Sequence, residues 1–406
     1  MASLKLSGVN KVYPSGETAL YDINLEAKDK EFLVLVGADG CGKSSLLRVV
    51  AGLEDATSGS VFIDDKDMVD VEPKNRDIAM VFQSSTLYPS LNVFDNMAFG
   101  LRLRKAPEAL VRERVKVVAN ILGLNDILYR KPKVLNAASK QRVAIARAIV
   151  REPKLYLFDE PLSGLDDKLK ADMLNVIINL QARLEGTFVY ATKNLSEALT
   201  IGTRLVVLKD GFVQQIDTPA NLYDYPANTY VAFYIGSPTI NFIKKVKISE
   251  EDGKYFAVFG EYKLELPENI VSRFESIAEY AASGKYVTLG IRPEDAELCE
   301  DGNLTGTVDK VTGEDGEDKY AEVDVTNEIC LNALAKNGAE KGKKTGVKVD
   351  LTRLYIFDAA SCLTLLKRDA GYTETGFEDA NYVPLAFDEE VRIHESLKPN
   401  KKNKKK

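Results

Sequence analysis

The chain of 406 residues contains no tryptophan and a single histidine, His394, which lies near its end. Histidine is the side chain whose ordinary pKa lies closest to neutral pH, and it is a common ligand of zinc. The composition therefore excludes metal sites built from several histidines. It also argues against a mechanism in which an imidazole transfers a proton.

Long apolar runs and cysteine pairs are also missing. No run of about 18 apolar residues occurs, so we expect no segment that crosses a bilayer. Residues 1–6 are too polar for a signal peptide. The cysteines form no C-x-x-C pair, which predicts a reducing compartment without a disulfide framework. The four cysteines are Cys41, Cys299, Cys330 and Cys362.

Acidic residues outnumber basic ones by 61 to 54, which gives a net charge of −7. Six lysines lie in the last nine residues, so the rest of the chain, with 48 basic and 61 acidic residues, carries −13. An acidic body argues against a nucleic-acid-binding groove, and we expect no nucleic-acid partner. The Lys-rich end is either a disordered, solubilising tail or a segment that contacts anionic lipid or RNA.

The pattern of apolar residues changes near residue 237. Before it, apolar strands such as 32–36, 155–158 and 187–192 alternate with helical patterns, which predicts an α/β fold with a parallel sheet. After it, short alternating strands such as 286–291 are separated by turns such as 314–317, as in a small all-β barrel. We predict domains over residues 1–236 and 237–367 and a loose tail over 368–406.

A phosphate-binding motif lies between the strand 32–36 and a predicted helix. Residues 37–44 read Gly-Ala-Asp-Gly-Cys-Gly-Lys-Ser and fit G-x-x-x-x-G-K-[ST]. In this motif backbone N–H groups surround phosphate oxygens at a helix N-terminus. Lys43 should reach the β- and γ-phosphates of ATP, and Ser44 should bind Mg²⁺. The predicted nucleotide-binding residues here are Gly37, Asp39, Gly40, Cys41, Gly42, Lys43, Ser44 and Ser45.

Two carboxylates follow a second apolar strand, 116 residues or more after Lys43: Asp159 and Glu160. An acid at the carboxyl end of a parallel strand points into the ligand crevice. We predict that Asp159 holds Mg²⁺ through its water shell, and that Glu160 polarises the attacking water as a general base. These motifs together predict a P-loop ATPase that uses ATP and Mg²⁺.

With further positions included, the first domain resembles an ABC transporter ATPase subunit. Tyr13 matches the aromatic residue that stacks on adenine in that family. Gln83 matches the glutamine that contacts Mg²⁺ and the attacking water and faces the membrane subunits. Residues 163–166 resemble the loop that crosses the dimer interface, and residues 142–148 resemble the helix after the family signature.

The second half resembles the maltose- and glycerol-phosphate-type importer ATPases, through residues 222–242, 290–295 and 354–358. In those proteins an OB-like C-terminal regulatory domain follows the ATPase domain. The resemblance implies two ATPase domains, as a homodimer or a heterodimer, that sandwich two ATP molecules. It further implies membrane-spanning permease subunits, an extracytoplasmic solute-binding protein, a carbohydrate-like solute, and a position at the cytoplasmic face of the membrane.

The signature departs from the family pattern. It is normally Leu-Ser-Gly-Gly-Gln, and here residues 135–139 read Leu-Asn-Ala-Ala-Ser. Asn136 can still donate a hydrogen bond to the γ-phosphate held by the partner. The methyl groups of Ala137 and Ala138, however, stand where the phosphate must approach the backbone.

Two further departures concern charged residues. Asp39 stands where the family usually has serine, and a carboxylate there repels triphosphate. Lys193 stands where the family has a histidine that senses the γ-phosphate. A lysine can pair with phosphate, but it does not relay a proton as imidazole does. Lys193 would neutralise Asp39 if the two were close, which the sequence does not show.

Three functions are compatible with this sequence. The first is an ATPase subunit of a carbohydrate importer, with Glu160, Lys193 and Gln83 as catalytic residues and Ser44, Gln83 and Asp159 around the metal. The second is a catalytically impaired, ATP-binding partner of a conventional ATPase subunit. The third is an ATP-sensing regulatory protein that uses its C-terminal domain for protein contacts.

Overall fold

The computed structural model describes residues 2–84, 86–313, 319–336 and 338–369. These residues form two compact units, which divide between Pro219 and Ala220. No helix in the described ranges is long and apolar enough to cross a membrane. His394, the turn at 314–317 and residues 370–406 of the predicted tail lie outside the described residues.

Among the described residues, the first unit contains ten strands in two sheets. They are β1 (Leu4–Val12), β2 (Thr18–Ala27), β3 (Phe32–Val36), β4 (Ser58–Ile63), β5 (Lys66–Asp67), β6 (Ile78–Val81), β7 (Leu155–Asp159), β8 (Thr187–Thr192), β9 (Arg204–Lys209) and β10 (Phe212–Asp217). One sheet has the order β2-β1-β4-β5, and the other has the order β10-β9-β3-β8-β7-β6.

Helices connect these strands. They are α1 (Lys43–Ala51), α2 (Val93–Leu103), α3 (Glu108–Ile121), α4 (Ala137–Ile149), α5 (Asp167–Leu184) and α6 (Leu195–Ile201). The helical patterns that the sequence shows over residues 44–53, 107–122, 139–151 and 168–184 match α1, α3, α4 and α5 to within about two residues at each end, which is the ordinary uncertainty of a helix terminus.

The six-stranded sheet is parallel except for β10, as the apolar strands predicted. Strands β9, β3, β8, β7 and β6 run parallel, and β10 pairs antiparallel with β9 through a hairpin. Every residue of β3, β7 and β8 is buried. Strand β8 lies between β3 and β7, so the loops that follow these three strands leave the same edge of the sheet side by side.

The core of the first unit lies between its two sheets and α1. Leu4 and Ile23 from the antiparallel sheet pack in one cluster with Leu35, Leu47 and Val189 from the parallel sheet and helix. These side chains are almost completely buried. Burial of apolar surface at roughly 25 cal/mol per Å² makes such a cluster the main stabilising contribution. It fixes α1 and the loop before it against the strand ends.

In the ranges that the structure describes, the second part of the chain contains ten further strands and four short helices. The strands are β11 (Asn241–Glu251), β12 (Lys254–Phe259), β13 (Tyr262–Glu265), β14 (Tyr286–Ile291), β15 (Ala296–Cys299), β16 (Leu304–Thr312), β17 (Tyr320–Thr326), β18 (Ile329–Leu334), β19 (Lys344–Val349) and β20 (Tyr355–Asp358). The helices are α7 (Pro219–Asp224), α8 (Thr229–Tyr234), α9 (Glu268–Val271) and α10 (Ile277–Ser283).

The predicted barrel is present and has five strands, in the closed order β15-β18-β17-β16-β19. A separate five-stranded sheet, β13-β12-β11-β14-β20, and the short helices accompany it. The predicted strand 286–291 is β14 of this sheet, so its assignment to the barrel was wrong, because alternating apolar residues predict a strand but not the sheet that it joins. Val246, Leu289, Val323 and Val347 belong to a single buried cluster that the barrel and this sheet share.

Arg292 explains why α7 and α8 pack with the second unit. Its guanidinium is fully buried and donates to the carbonyl oxygens of Ala232 (2.9 Å), Ile235 (2.7 Å) and Tyr223 (2.9 Å). It also lies 3.9 Å from the ring centroid of Tyr223. The compact units therefore divide after Pro219, the first residue of α7, and the domain boundary at residue 236 stays a prediction.

Candidate functional site

The loop at residues 37–42 joins the end of β3 to the start of α1 and can contain only glycine at two positions. A Cβ on Gly37 would lie 2.3 Å from the carbonyl oxygen of Leu208. Gly42 has φ of +103°, and a Cβ there would lie 2.6 Å from the carbonyl oxygen of Ala19. The loop is thus held tightly against neighbouring backbone, which keeps the N-terminus of α1 accessible.

Lys43, the first residue of α1, is buried against this loop, with 3% of its surface exposed. Its Nζ donates to the carbonyl oxygens of Gly37 (2.8 Å) and Ala38 (2.8 Å). It also lies 3.8 Å from Oε1 of Glu160 and 3.7 Å from the buried sulfur of Cys41. A buried ammonium surrounded by oxygens is positioned to bind an anion that enters the loop.

The structure brings the two predicted motifs together at Ser44 and Asp159. The Ser44 hydroxyl donates to Oδ1 of Asp159 at 2.7 Å, although 115 residues separate them. Asp159 is the last residue of β7 and is buried, and it pairs in register with Ala191 of β8. The hydroxyl and the carboxylate are therefore neighbours, as the predicted magnesium site requires.

Glu160 follows Asp159 in an unusual backbone conformation, with φ of +43°. Its N–H donates to the carbonyl oxygen of Ala191 at 2.9 Å, and its own carbonyl oxygen accepts the Ser163 hydroxyl at 2.8 Å. Burial raises the pKa of the Glu160 carboxyl, and the opposing effect of Lys43 is smaller. The carboxylate is thus fixed beside Lys43 in a water-poor position.

Asp39 and Lys193, the two charged departures from the family pattern, form an ion pair. Nζ of Lys193 lies 2.8 Å from Oδ2 of Asp39, and both side chains are more than half exposed. The hydrogen bond from Lys193 holds the pKa of Asp39 below its ordinary value and raises the pKa of Lys193. The two residues meet because Val36, at the end of β3, pairs in register with Thr192, at the end of β8.

Glu197, which the sequence reasoning missed, fixes the turn that carries Lys193. Its Oε2 accepts the hydroxyls of Tyr190 (3.0 Å) and Thr192 (2.8 Å). Thr192 in turn accepts the N–H of Asn194, and Asn194 caps α6 by accepting the N–H of Glu197. The spacing Asn194-x-x-Glu197 is a helix N-terminus signature, which was available in the sequence.

Tyr13 lies next to the phosphate loop. Its hydroxyl is 2.9 Å from the hydroxyl of Ser45, the third residue of α1, and its ring lies 5.1 Å from Nζ of Lys11. Burial raises the pKa of the Tyr13 hydroxyl. These contacts hold the ring at one side of the predicted site, where a planar base can stack on it.

Gln83 is exposed, and no hydrogen bond within the described ranges joins it to Ser44 or Asp159. Two residues to which the sequence reasoning gave no role here brace the segment after it. Asn96 of α2 is fully buried, and it donates to the carbonyl oxygen of Tyr88 and accepts the Tyr88 N–H. Arg147 of α4 donates to the carbonyl oxygen of Thr86 at 3.0 Å.

The signature residues lie at the start of α4. Asn136 is exposed and caps the helix by accepting the N–H of Ser139 at 2.8 Å. Ala137 is exposed, but Ala138 is buried, so only the methyl group of Ala137 lies at the surface. A surface cavity brings Ala137 together with the residues after Gln83 and with the loop that begins at Ser163.

The residues around Ser44 fit a magnesium ion. Mg²⁺ prefers oxygen ligands and is usually held by one or two carboxylates together with substrate phosphates and water. The Ser44 hydroxyl and the Asp159 carboxylate supply oxygens of this kind next to the phosphate loop. Among the described residues there is no cluster of three His, Cys, Asp or Glu side chains that would form a self-contained metal cage.

Comparison with known proteins identifies the family. Residues 20–163 match the model described as ABC transporter, and residues 236–296 match the MalK OB fold domain. The chain is 42% identical over 373 residues to the trehalose/maltose import ATP-binding protein MalK of Thermococcus litoralis, which covers 88% of this chain and 98% of MalK. The chain belongs to the ABC transporter family of ATP-binding proteins.

Two further relatives of this ABC protein agree. The oligosaccharides import ATP-binding protein MsmX of Bacillus subtilis is 49% identical over 295 residues, which cover 73% of this chain and 79% of MsmX. The solved structure of CbiO1 from Clostridium perfringens, part of the ABC transporter complex CbiONQ, is 29% identical with a TM-score of 0.51 over 55% of this chain and 90% of that one. The predicted family, the P-loop ATPase class and the OB-like C-terminal domain are confirmed.

Proposed function

We propose that the chain binds Mg²⁺-ATP at the edge of its parallel sheet and couples ATP hydrolysis to the import of a carbohydrate-like solute. The supporting observation is the convergence of Lys43, Ser44, Asp159 and Glu160 at the ends of β3 and β7. Import of oligosaccharides and of trehalose or maltose is what the names of two relatives state for those proteins.

Each side chain has a distinct task in this proposal. Lys43 and the N–H groups at the start of α1 bind the phosphates, while Tyr13 stacks on adenine. Ser44 and Asp159 hold Mg²⁺, with Gln83 joining them when the site is occupied. The metal supplies charge neutralisation on the phosphates. Glu160 orients the attacking water and accepts its proton.

Glu160→Gln tests the assignment of the base. The amide keeps the size of the side chain but cannot accept a proton, so hydrolysis should fall by roughly 10²-fold or more while ATP binding persists. Glu185→Gln, which changes an exposed carboxylate paired with Lys30, is the matched control. An ATPase rate that Glu160→Gln leaves unchanged would remove Glu160 from this role.

We propose that membrane-spanning permease subunits bind the first unit, which places the chain at the cytoplasmic face of the membrane. Support comes from large apolar side chains exposed within a short stretch of sequence: Phe82 (42%), Tyr88 (41%), Phe99 (38%) and Leu103 (75%). The rings of Tyr88 and Phe99 lie 4.5 Å apart, so they form a continuous apolar surface. An extracytoplasmic binding protein would deliver the solute to the permease.

A second candidate is an impaired ATP-binding subunit that functions in a heterodimer with a conventional ATPase. The exposed methyl group of Ala137, in a signature that normally has glycine there, favours this candidate. A homodimer would combine two altered signatures, whereas a conventional partner would contribute an intact one. Measuring the ATPase rate of the isolated chain and of the chain co-purified with such a partner separates the candidates, because a fast homodimeric ATPase rules out the second.

A further inference from the structure

Asp39 and Lys193 are 154 residues apart in sequence, but their side chains meet at the phosphate loop, to which Asp39 belongs. Asp39 belongs to the loop after β3, and Lys193 belongs to the turn after the neighbouring strand β8. The next strand, β7, ends at Asp159 and is followed by Glu160. Lys193 therefore lies between the loop that binds phosphate and the carboxylate assigned as the base.

The exposure of this ion pair indicates that it contributes little to folding. The side chains of Lys193 and Asp39 are 53% and 71% exposed, and ion pairs in such positions have little measurable effect on stability. A carboxylate beside the triphosphate would also repel it unless a cation neutralised the charge. The location of the pair therefore points to a role in handling phosphate.

Lys193 combines a fixed backbone with a flexible side chain. The turn that carries Lys193 is fixed by the hydrogen bonds of Thr192, Asn194 and Glu197. The side chain of Lys193 has four rotatable bonds, and holding it in one orientation is entropically costly. A hydrogen bond to Asp39 restrains it before any nucleotide binds. An ammonium group has three N–H donors, so it can bond a carboxylate and a phosphate together.

We propose that Asp39 is a positioning residue, which holds the ammonium of Lys193 over the phosphate loop so that Lys193 binds the terminal phosphate of ATP. This inference rests on the proposed function. In it, the two departures from the family pattern act as one unit. Asp39 loses its repulsive effect because Lys193 neutralises it, and Lys193 gains the orientation that the catalytic step needs.

Asp39→Asn should change the rate of ATP hydrolysis in opposite directions under the two possible roles of Asp39. If Asp39 merely repelled phosphate, Asp39→Asn would tighten ATP binding and speed hydrolysis. If Asp39 positions Lys193, Asp39→Asn should slow hydrolysis, by roughly tenfold to 10²-fold, which is the usual effect of a misplaced catalytic group. Lys193→Gln should slow it by roughly 10²-fold or more. Asp39→Glu, which keeps the carboxylate, should restore most of the rate.

The experiment uses the full chain and four variants: Asp39→Asn, Asp39→Glu, Lys193→Gln and the double variant Asp39→Asn/Lys193→Gln. We would measure the ATPase rate, the affinities for ATP and ADP in the presence of Mg²⁺, and the midpoint of chemical denaturation. Because ADP lacks the terminal phosphate, its affinity should stay unchanged, while the preference for ATP over ADP should fall in both single variants, and by less in Asp39→Asn, which keeps the ammonium of Lys193. The double variant should match Lys193→Gln alone.

Three results would overturn the inference, the last of them a change in stability. One is an Asp39→Asn variant that hydrolyses ATP faster or binds it more tightly than the original chain. The other is a double variant whose loss equals the product of the two single losses, since independent residues behave in that way. A shifted denaturation midpoint in both single variants would assign the pair to folding instead.

If the proposed function itself were wrong, the unmodified chain would already bind or hydrolyse nucleotides differently from what we expect. If the unmodified chain bound neither ATP nor ADP, the assignment of the phosphate loop would be wrong. If it bound both but did not hydrolyse ATP, the ratio of the two affinities in the same variants would still test the pair. The inference then requires that Asp39→Asn and Lys193→Gln both reduce that ratio and that the double variant reduces it no further than Lys193→Gln. An Asp39→Asn variant that keeps or raises the ratio would overturn it.

Discussion

Asp39 and Glu160 are carboxylates on neighbouring loops, each beside a lysine, but their surroundings shift their pKa values in opposite directions. Burial raises the pKa of Glu160, and its 3.8 Å contact with Lys43 offsets this only in part. The hydrogen bond from Lys193 lowers the pKa of the exposed Asp39. The more basic carboxylate is therefore Glu160, whose side chain is only 12% exposed, and the more exposed Asp39 stays negatively charged.

Cys41 is the one cysteine in the phosphate loop, and it is buried with 3% of its surface exposed. Burial raises the pKa of its thiol, which reduces the reactive thiolate. We expect a maleimide to modify Cys41 at least about tenfold more slowly in the folded chain than in the unfolded chain. Mg²⁺-ATP should slow the reaction further, and modification should abolish ATP binding.

Mass spectrometry of the peptide that contains Cys41 measures this rate, and Cys362, which is partly exposed, is the internal control. ATP should leave the rate at Cys362 unchanged. Equal modification of Cys41 with and without ATP would contradict the assigned loop geometry. If Cys41 served only as a small residue in a tight loop, the modified protein would still bind ATP.

At the level of elements, the turn between β8 and α6 depends on Glu197, which is buried and accepts the hydroxyls of Tyr190 and Thr192. Glu197→Ala would leave both hydroxyls buried without an acceptor, at about 1–3 kcal/mol each. We expect the free energy of unfolding to fall by about 2–6 kcal/mol in total. Chemical denaturation followed by circular dichroism measures it.

Glu197→Gln is the matched variant, because its amide keeps one oxygen that can accept both hydroxyls. It should lose much less stability than Glu197→Ala. Equal losses in the two variants would show that the carboxylate charge, and not the acceptor oxygen, supports the turn. A loss below about 1 kcal/mol for Glu197→Ala would show that the two hydroxyls find other partners.

Most elements near the site were predictable because their signals are local. The apolar runs of β3, β7 and β8 and the phosphate motif between β3 and α1 occupy single short segments. The Asn194-x-x-Glu197 signature was equally local and was overlooked. The brace of Arg147 on the segment after Gln83 was not predictable, because it joins α4 to the carbonyl oxygen of Thr86, 61 residues away.

At the level of the whole molecule, the second unit contains a buried carboxyl, Asp295, whose Oδ1 lies 3.0 Å from the guanidinium of Arg353. Burial raises the pKa of Asp295 to about 6, and the opposing effect of Arg353 is smaller. Glu294 and Asp350 contribute to this raised pKa, whereas Arg292, like Arg353, acts against it. The folded chain therefore binds more protons than the unfolded chain between about pH 4 and pH 6.

The sign of the pH dependence follows. Stability from this group is fully present below the unfolded pKa and is lost as the pH rises to about 6. Asp295→Asn removes the titration, so relative to the original chain it should gain up to about 3 kcal/mol of unfolding free energy between pH 4 and pH 7. Denaturation at both pH values measures this difference. An equal effect of the substitution at the two pH values would contradict the prediction.

The division into two units was partly predictable. The change from fully apolar strands to short alternating ones marks the second domain, because parallel sheets are buried on both faces and small barrels on one. The assignment of α7 and α8 depends on the burial of Arg292 against carbonyl oxygens of both helices, more than fifty residues earlier in the chain. No composition change near residue 219 signals that contact.

The amino-acid sequence by itself determined the family, the phosphate loop and the acidic strand end, because each is encoded in residues that are consecutive or regularly spaced. Only the tertiary structure decided how these parts combine. The insertion of β8 between β3 and β7 brings Lys193 to Asp39 and sets both beside Glu160. The order of strands in a sheet depends on which apolar surfaces pack best across the whole unit, and no local pattern specifies it.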